Sequence, residues 1–298
     1  MQFPPKMLHK EQVRFGAASA AALGLVVALP LSAQAAAVAV PLGTAGSFVV
    51  LAGAGVTNTG PTTLHGDLGT FPTTSISGAG SITVTGTNHH GDAVTQRAKT
   101  SLVTAYNVAA GEGPTSPIAG DLTGRTLKRG VYNSASSIGL TGAVTLDGAG
   151  NPNSVFVFQA GSSLTTGSGS RVNLINGARS CNVVWQVGSS ATLGTGSRFG
   201  GTVLARTSIT ATTGARVVGR LLARNGAVTL DTNVITRPTA CVAAAQVRRV
   251  PGGSVSSGDG STSGSSDDAQ ALLAGAIVLA GIGGATVVAA RRRRHSTF

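Results

Sequence analysis

A repeat within the second half of this 298-residue chain restricts the possible folds more than any other feature. Val157-Phe-Gln-Ala-Gly-Ser-Ser-Leu-Thr-Thr-Gly-Ser-Gly-Ser-Arg-Val172 aligns with Val184-Trp-Gln-Val-Gly-Ser-Ser-Ala-Thr-Leu-Gly-Thr-Gly-Ser-Arg-Phe199, with ten of sixteen positions identical at an offset of 27. An offset of 18 relates the next segments: Leu204-Ala205-Arg206 to Leu222-Ala223-Arg224, and Thr192, Gly196 and Arg198 to Thr210, Gly214 and Arg216. Periods near 20, written in short runs of Val, Leu, Ile and Thr between glycines, predict a β-helix with one coil per repeat. The longer step predicts a coil with an inserted loop around Asn176-Gly177-Ala178. Of the chain's 43 Gly, 32 fall within residues 36–245, which hold few charged or aromatic residues and read as strands and turns.

One segment departs from this pattern. From Asp92 to Ala110, Val94, Ala98, Leu102 and Tyr106 recur at spacing four, with Asp92 suited to an N-cap and Gly111 to a C-terminal stop. The predicted helix, 92–110, would be roughly 28 Å long at 1.5 Å per residue. Six coils at about 4.8 Å cover a similar length, so the helix is expected to lie along one flank of the solenoid.

Both ends read as targeting segments. Lys6, Lys10 and Arg14 precede an apolar run from Phe15 to Leu31 and then Ala33-Gln34-Ala35, the order of a signal peptide over 1–35; a retained N-terminal anchor is the alternative. Residues 246–268, dominated by Ser, Gly, Asp and Thr, read as a flexible linker. The apolar run 269–290 is long enough for a transmembrane helix, and Arg291, Arg292, Arg293 and Arg294 open a basic tail, 291–298, expected in the cytoplasm. On this reading the protein is exported and held at the extracellular face of the membrane by that C-terminal helix. Export favours a disulfide between the only two cysteines, Cys181 and Cys241, with two buried free thiols as the alternative.

The residues argue against catalysis. No Gly-x-Ser-x-Gly elbow, phosphate-binding loop or His-Glu-x-x-His pattern occurs. His89-His90 has no nearby cluster beyond Asp92 to complete a metal site and reads as a turn before the helix. Although the net charge is +12, residues 36–250 hold only six acids, Asp67, Asp92, Glu112, Asp121, Asp147 and Asp231, too sparse for a sugar-cleaving β-helix. No enzyme activity, cofactor, metal or nucleic-acid partner is expected, and the protein is expected to be a monomer.

Several long, ordered stretches then resemble a known family. They are Leu42-Gly-Thr-Ala-Gly-Ser-Phe-Val-Val-Leu-Ala52, Val56-Thr-Asn-Thr-Gly-Pro-Thr-Thr-Leu-His-Gly-Asp-Leu-Gly69, Gly130-Val-Tyr132, Leu140-Thr-Gly, Val155-Phe-Val-Phe-Gln159, Cys181-Asn-Val-Val-Trp-Gln-Val-Gly-Ser-Ser-Ala191 and Gly219-Arg-Leu-Leu-Ala-Arg-Asn-Gly-Ala-Val-Thr-Leu230. Together they resemble the bacterial and microalgal ice-binding proteins across nearly all of 41–237. The resemblance implies a mainly β fold: a right-handed, discontinuous β-solenoid of roughly triangular section, with N-terminal coils beside C-terminal ones and one long helix alongside. It also implies that an ice crystal is the partner, bound by one flat β face. Aligned coils offer Thr165 and Ser168, Thr192 and Thr195, Thr210 and Thr213, and Thr229 and Thr232 as candidate ice-binding residues. Only Thr210-Ala211-Thr212-Thr213 fits the family's Thr-(Ala/Gly)-x-(Thr/Asn) pattern; Leu193, Leu230 and Asp231 bring the flatness of the face into question. A spacing of three cannot place both members of a pair on one face of a regular strand, so one of each is expected at a corner. The alternative function is a non-enzymatic adhesin or wall- or glycan-binding module. There, stacked Arg171, Arg198 and Arg216, with Arg206 and Arg224, would meet an anionic polysaccharide.

Overall fold

The structure is a computed structural model, and it describes residues 37–239 except 114, 115 and 119. The chain divides into two compact units, Met1–Gln246 and Val247–Phe298, and all the described residues belong to the first. The expected signal peptide over 1–35, the linker 246–268, the span 269–290, the tail 291–298 and Cys241 lie outside the described residues.

Every strand pairing is parallel, as a solenoid requires, and the coils wind around three faces. Face A runs through Ser116–Pro117, Gly130–Ser134, Phe156–Ala160, Val183–Val187, the second halves of Arg198–Ala205 and Arg216–Ala223, then Phe48–Ala52, Asp67–Thr70 and Asn88–His90. Face B is a separate seven-stranded sheet: Ile138–Leu140, Leu164–Thr166, Ala191–Leu193, Ile209–Ala211, Val228–Asp231, Val56–Thr59 and Ile76–Ser77. Face C runs from Thr126–Lys128 through Ala143–Asp147, Arg171–Ile175, the starts of Arg198–Ala205 and Arg216–Ala223, Val234–Thr236 and Thr62–His65 to Ile82–Val84.

The stacking order is not the chain order. The first coil starts in the middle of the stack and packs on the last one: Val50 pairs with Leu221, Thr57 with Thr229 and Thr63 with Val234. The chain then builds outward to Asn88–His90 and enters the helix Ala93–Gly111, resuming at Ser116–Pro117, the opposite end of face A. The discontinuity implied by the family resemblance is thus present.

Burial follows from this layout. Interior columns are apolar, with an aromatic stack at the centre: Phe158 and Trp185 lie 4.0 Å apart, flanked by Tyr132 at 5.4 Å and Phe199 at 5.1 Å. Such pairs contribute about 0.5–1.5 kcal/mol beyond their area burial. Face A strands such as Phe48–Ala52, Phe156–Ala160 and Val183–Val187 are buried at every position, because one side meets this core and the other meets the helix.

The helix starts as expected: Asp92 Oδ1 accepts from the Thr95 backbone N–H at 2.8 Å, and His89 Nδ1 sits 2.6 Å from Asp92 Oδ2. Its buried stripe is Thr95, Ala98, Lys99, Leu102, Ala105, Tyr106 and Ala109, whereas Val94 is only partly buried. The alanines let the helix lie close to face A. Polar groups under it are satisfied: Lys99 Nζ donates to the carbonyls of Ala223 and Arg224, Gln186 Nε2 to Tyr106 Oη, and Gln159 Nε2 to the Ala109 and Glu112 carbonyls at the helix end.

Two expectations need correction. His89 and His90 belong to the strand Asn88–His90, not to a turn; among the described residues no group of three or more His, Cys, Asp or Glu can hold a metal ion. The membrane anchor, and with it a location on the outer face of the cell membrane, is not supported. Among the described residues no helix is long and apolar enough to cross a membrane, and the one α-helix is committed to the solenoid flank and carries Arg97 and Lys99.

Candidate functional site

Face B is uncovered by the helix, which packs on face A. Along each of its strands, burial alternates as the pleat dictates. Leu164 and Thr166 point inward around exposed Thr165; Ala191 and Leu193 flank Thr192; Ile209 and Ala211 flank Thr210; Val228 and Leu230 flank Thr229. Leu193 and Leu230 are fully buried, so they do not roughen the outer surface.

The outward residues stand in register. Gly139 pairs with Thr165, Thr165 with Thr192, Thr192 with Thr210 and Thr210 with Thr229. The column then crosses the seam: Thr229 pairs with Thr57, and Thr57 with Ser77. Six hydroxyl-bearing residues therefore follow one another on neighbouring strands, and from Gly139 to Ser77 the column spans about 29 Å at ~4.8 Å per rung.

Thr57 and Ser77 were not identified from the sequence repeat, because the repeat does not reveal that the first coil joins the last. The available signal was Val56-Thr57, which copies Val228-Thr229. A second column was also missed. Ser137, Ser163, Ser190, Ser208, Ala227, Gly55 and Ser75 precede the inward residue on each rung and are linked by backbone hydrogen bonds from one rung to the next. Ser137 Oγ and Ser163 Oγ are 2.8 Å apart. Its signal was the recurrent Ser-Ser or Thr-Ser before each strand: Ser136-Ser137, Ser162-Ser163, Ser189-Ser190 and Thr207-Ser208.

The second member of each candidate pair lies elsewhere. Ser168, Thr195 and Thr213 are exposed in turns at the corner between faces B and C, each followed by a left-handed glycine, Gly169, Gly196 or Gly214. Thr232 is not their equivalent. The coil is one residue shorter there, so Thr232 itself takes the left-handed position (φ +55°) and Asp231 takes the corner position. The ladder shows it: Gly196 N–H bonds to the Thr213 carbonyl, whereas Gly214 N–H bonds to that of Asp231. Asp231 accepts from the Thr213 and Thr232 hydroxyls, and these bonds, that of Thr213 foremost, hold its carboxyl below the usual carboxylate range. Thr195 Oγ1 meets Thr212 Oγ1 at 3.3 Å.

Between the threonine column and the corner, Gly194 is required by close approach. A Cβ on Gly194 would sit 2.3 Å from the Gly167 carbonyl oxygen. Cys181 is disulfide-bonded, while Cys241 lies outside the described residues. Arg171, Arg198 and Arg216 do stack, on face C rather than face B.

Comparison with known proteins agrees with this architecture. The sequence pattern of the ice-binding-like family matches residues 50–236. An ice-binding protein of Nostoc sp. (strain HG1) is 48% identical over 70% of this chain and 77% of its own. One from Colwellia sp. is 36% identical over 67% of this chain and 85% of its own. Among solved structures, an ice-binding protein from an Antarctic biological consortium superposes with a TM-score of 0.67 at 46% identity, covering 68% of this chain and 92% of that one. The ice-binding protein of the Antarctic ascomycete Antarctomyces psychrotrophicus gives 0.66 at 42% identity, covering 68% of this chain and all of that one. The hydroxyl-bearing face thus lies on a solenoid shared with these proteins, and the chain belongs to the ice-binding-like family.

Proposed function

We propose that this protein binds ice through face B, and that the column Thr165, Thr192, Thr210, Thr229 and Thr57 is the centre of the contact. The observation that carries this reading is the register across the seam, which makes a single ladder from two distant parts of the chain. A β-branched residue on a strand has few χ1 states, so the row is nearly rigid before contact. Each hydroxyl can donate and accept within an ordered water layer, and each methyl favours leaving bulk water. Binding a crystal surface sums many weak contacts, so preorganisation reduces the entropy lost on contact. Both the Ser column and the corner residues Ser168, Thr195 and Thr213 border this centre; Thr232, bonded to Asp231, contributes least.

The protein acts by adsorption rather than catalysis: its relatives bear the name of ice-binding proteins, and face B has no carboxylate pair or nucleophile–base arrangement among the described residues. No observation favours the adhesin reading, since the arginine ladder lies off the hydroxyl face.

Recrystallisation of polycrystalline ice tests the assignment. The purified protein is expected to inhibit it, and Thr210→Tyr to raise the inhibitory dose about tenfold or more, equivalent to roughly 1.4 kcal/mol. The circular dichroism and unfolding temperature of the variant should be unchanged, because Thr210 points outward. Thr232→Tyr is expected to change the dose far less. Equal losses in the two variants, or no inhibition by the unaltered protein, would reject the assignment.

A further inference from the structure

On face C the longer coils overhang the shorter ones. Phe156 pairs with Val183, 27 residues on, whereas Val184 pairs with Thr202, 18 residues on. The shorter coil leaves face C at Gly200-Gly201, so of the strand Arg171–Ile175 only Arg171 has a partner on that side, Arg198. Val172 and Leu174 point inward from the overhang, and beyond the step they face the outward side of the shorter coils. A Cβ on Gly200 would lie 3.6 Å from Val172 Cγ1 and 3.7 Å from Leu174 Cδ1. The step forms a groove of about 550 Å³ lined by Val172, Leu174, Phe199 and Val218 between Arg198 and Arg216. An outward position on a half-solvated strand is ordinarily polar. Here Val218 is 50% exposed and Ile175, at the end of the overhanging strand, 41%.

We propose that this groove is the seat of the chain's own segment Val242-Ala243-Ala244-Ala245, delivered there by a disulfide between Cys181 and Cys241. The chain holds no third cysteine, and Cys181 is disulfide-bonded. Cys181 lies in the short turn Ser180–Asn182, which follows the overhanging strand and leads into Val183–Val187. The last described strand, Val234–Thr236, is the rung beside Val218: Thr236 pairs with Val218, and Val218 with Gly200. From that rung to the overhang is three steps of about 4.8 Å. Five residues from Thr236 to Cys241 span at most ~18 Å when extended, and a disulfide Cα separation adds about 5.5–6 Å, which together exceed those three steps. A disulfide to Cys181 thus brings the chain back along the solenoid axis from the Thr236 rung, the direction in which Val218 and Gly200 lie. The residues that follow Cys241 are small and apolar as far as Gln246, which suits a shallow apolar groove.

Three measurements on the full-length protein test this. A non-reducing digest should yield a Cys181–Cys241 linked peptide; two separate thiol peptides overturn the proposal. A photoreactive p-benzoylphenylalanine in place of Val218 should crosslink to 242–246 of the same chain, and the product should disappear in Cys181→Ser. Capture of a second copy overturns it. Should the bulky probe itself displace the segment, hydrogen exchange on the unlabelled protein decides. Amides of 242–245 should be protected at least about tenfold and lose that protection in Cys181→Ser, and unprotected amides in the wild type overturn the proposal. All the altered positions lie off face B, so inhibition of ice recrystallisation should be unaffected in every variant, which separates this result from the ice-face assignment.

Discussion

At residue scale, Asp231 sets the boundary of the hydroxyl face. Its carboxylate takes up the hydroxyls of Thr213 and Thr232, leaving them less able to join a water lattice than Thr192 or Thr210. Because those bonds depress its folded pKa, Asp231 contributes stability above the usual carboxylate range, and that contribution is lost as pH falls through the lower, folded value. The unfolding temperature should thus drop in strong acid, and Asp231→Asn should show a shallower drop over the same interval in a calorimetric pH series. Gly194 is the other determinant. Gly194→Ala would press a methyl group against the Gly167 carbonyl and should cost about 1–3 kcal/mol in denaturant unfolding. The threonine column itself was legible in the sequence, since a period repeated in Thr165, Thr192, Thr210 and Thr229 needs only the coil assumption. The place of Thr232 was not: a one-residue deletion in a turn moves a side chain from the corner into a glycine's position, and only the backbone ladder reveals it.

The helix Ala93–Gly111 is the element on which the solenoid most depends. Without it, Phe48, Leu51, Val157, Val184, Leu204 and Leu222 would be left in water. Leu102, fully buried against them, is expected to cost about 2–5 kcal/mol when changed to Ala, by loss of transfer energy and cavity formation, as read by urea unfolding. Lys99 adds a pH signature. Burial first, and Arg224 second, lower its pKa to about 8, against ~10.4 in an unfolded chain. Between those values the unfolded chain holds the proton more often than the folded one, so this group makes stability rise with pH through that window. Lys99→Met should abolish that component of the rise in thermal melts from pH 7.5 to 10.5. The helix and its Asp92 cap were readable from spacing and capping chemistry. Val94 does pack against the helix-side core, partly buried, whereas the buried Thr95, Ala105 and Ala109 went unread: a polar or small side chain carries little hydrophobic signal, and the Thr95 hydroxyl is satisfied by Asp92 Oδ1.

For the whole molecule, the seam is the governing fact. Val50 and Leu221 are rung partners although about 170 residues apart in sequence. Long-range parallel pairing of this kind slows folding and joins both halves into one cooperative unit. Amides of Phe48–Ala52 and of Arg216–Ala223 should therefore exchange with the same free energy in native-state hydrogen exchange, and two distinct values would rule out a single unit. Parallel coils and an alongside helix were expected from period and composition, but the order of stacking came only through the family resemblance. The residues do hold a trace of it, since Val50-Leu51-Ala52 copies Val203-Leu204-Ala205 and both lie on face A, but a three-residue match is too short to fix a stacking order. The same seam has a consequence for the timing of activity. Thr57 emerges early from the ribosome and Thr229 late, and they become neighbours only after the final coil has been synthesised and docked. A growing nascent chain would thus have disconnected pieces of the crystal-facing surface and no continuous template until the domain is nearly complete.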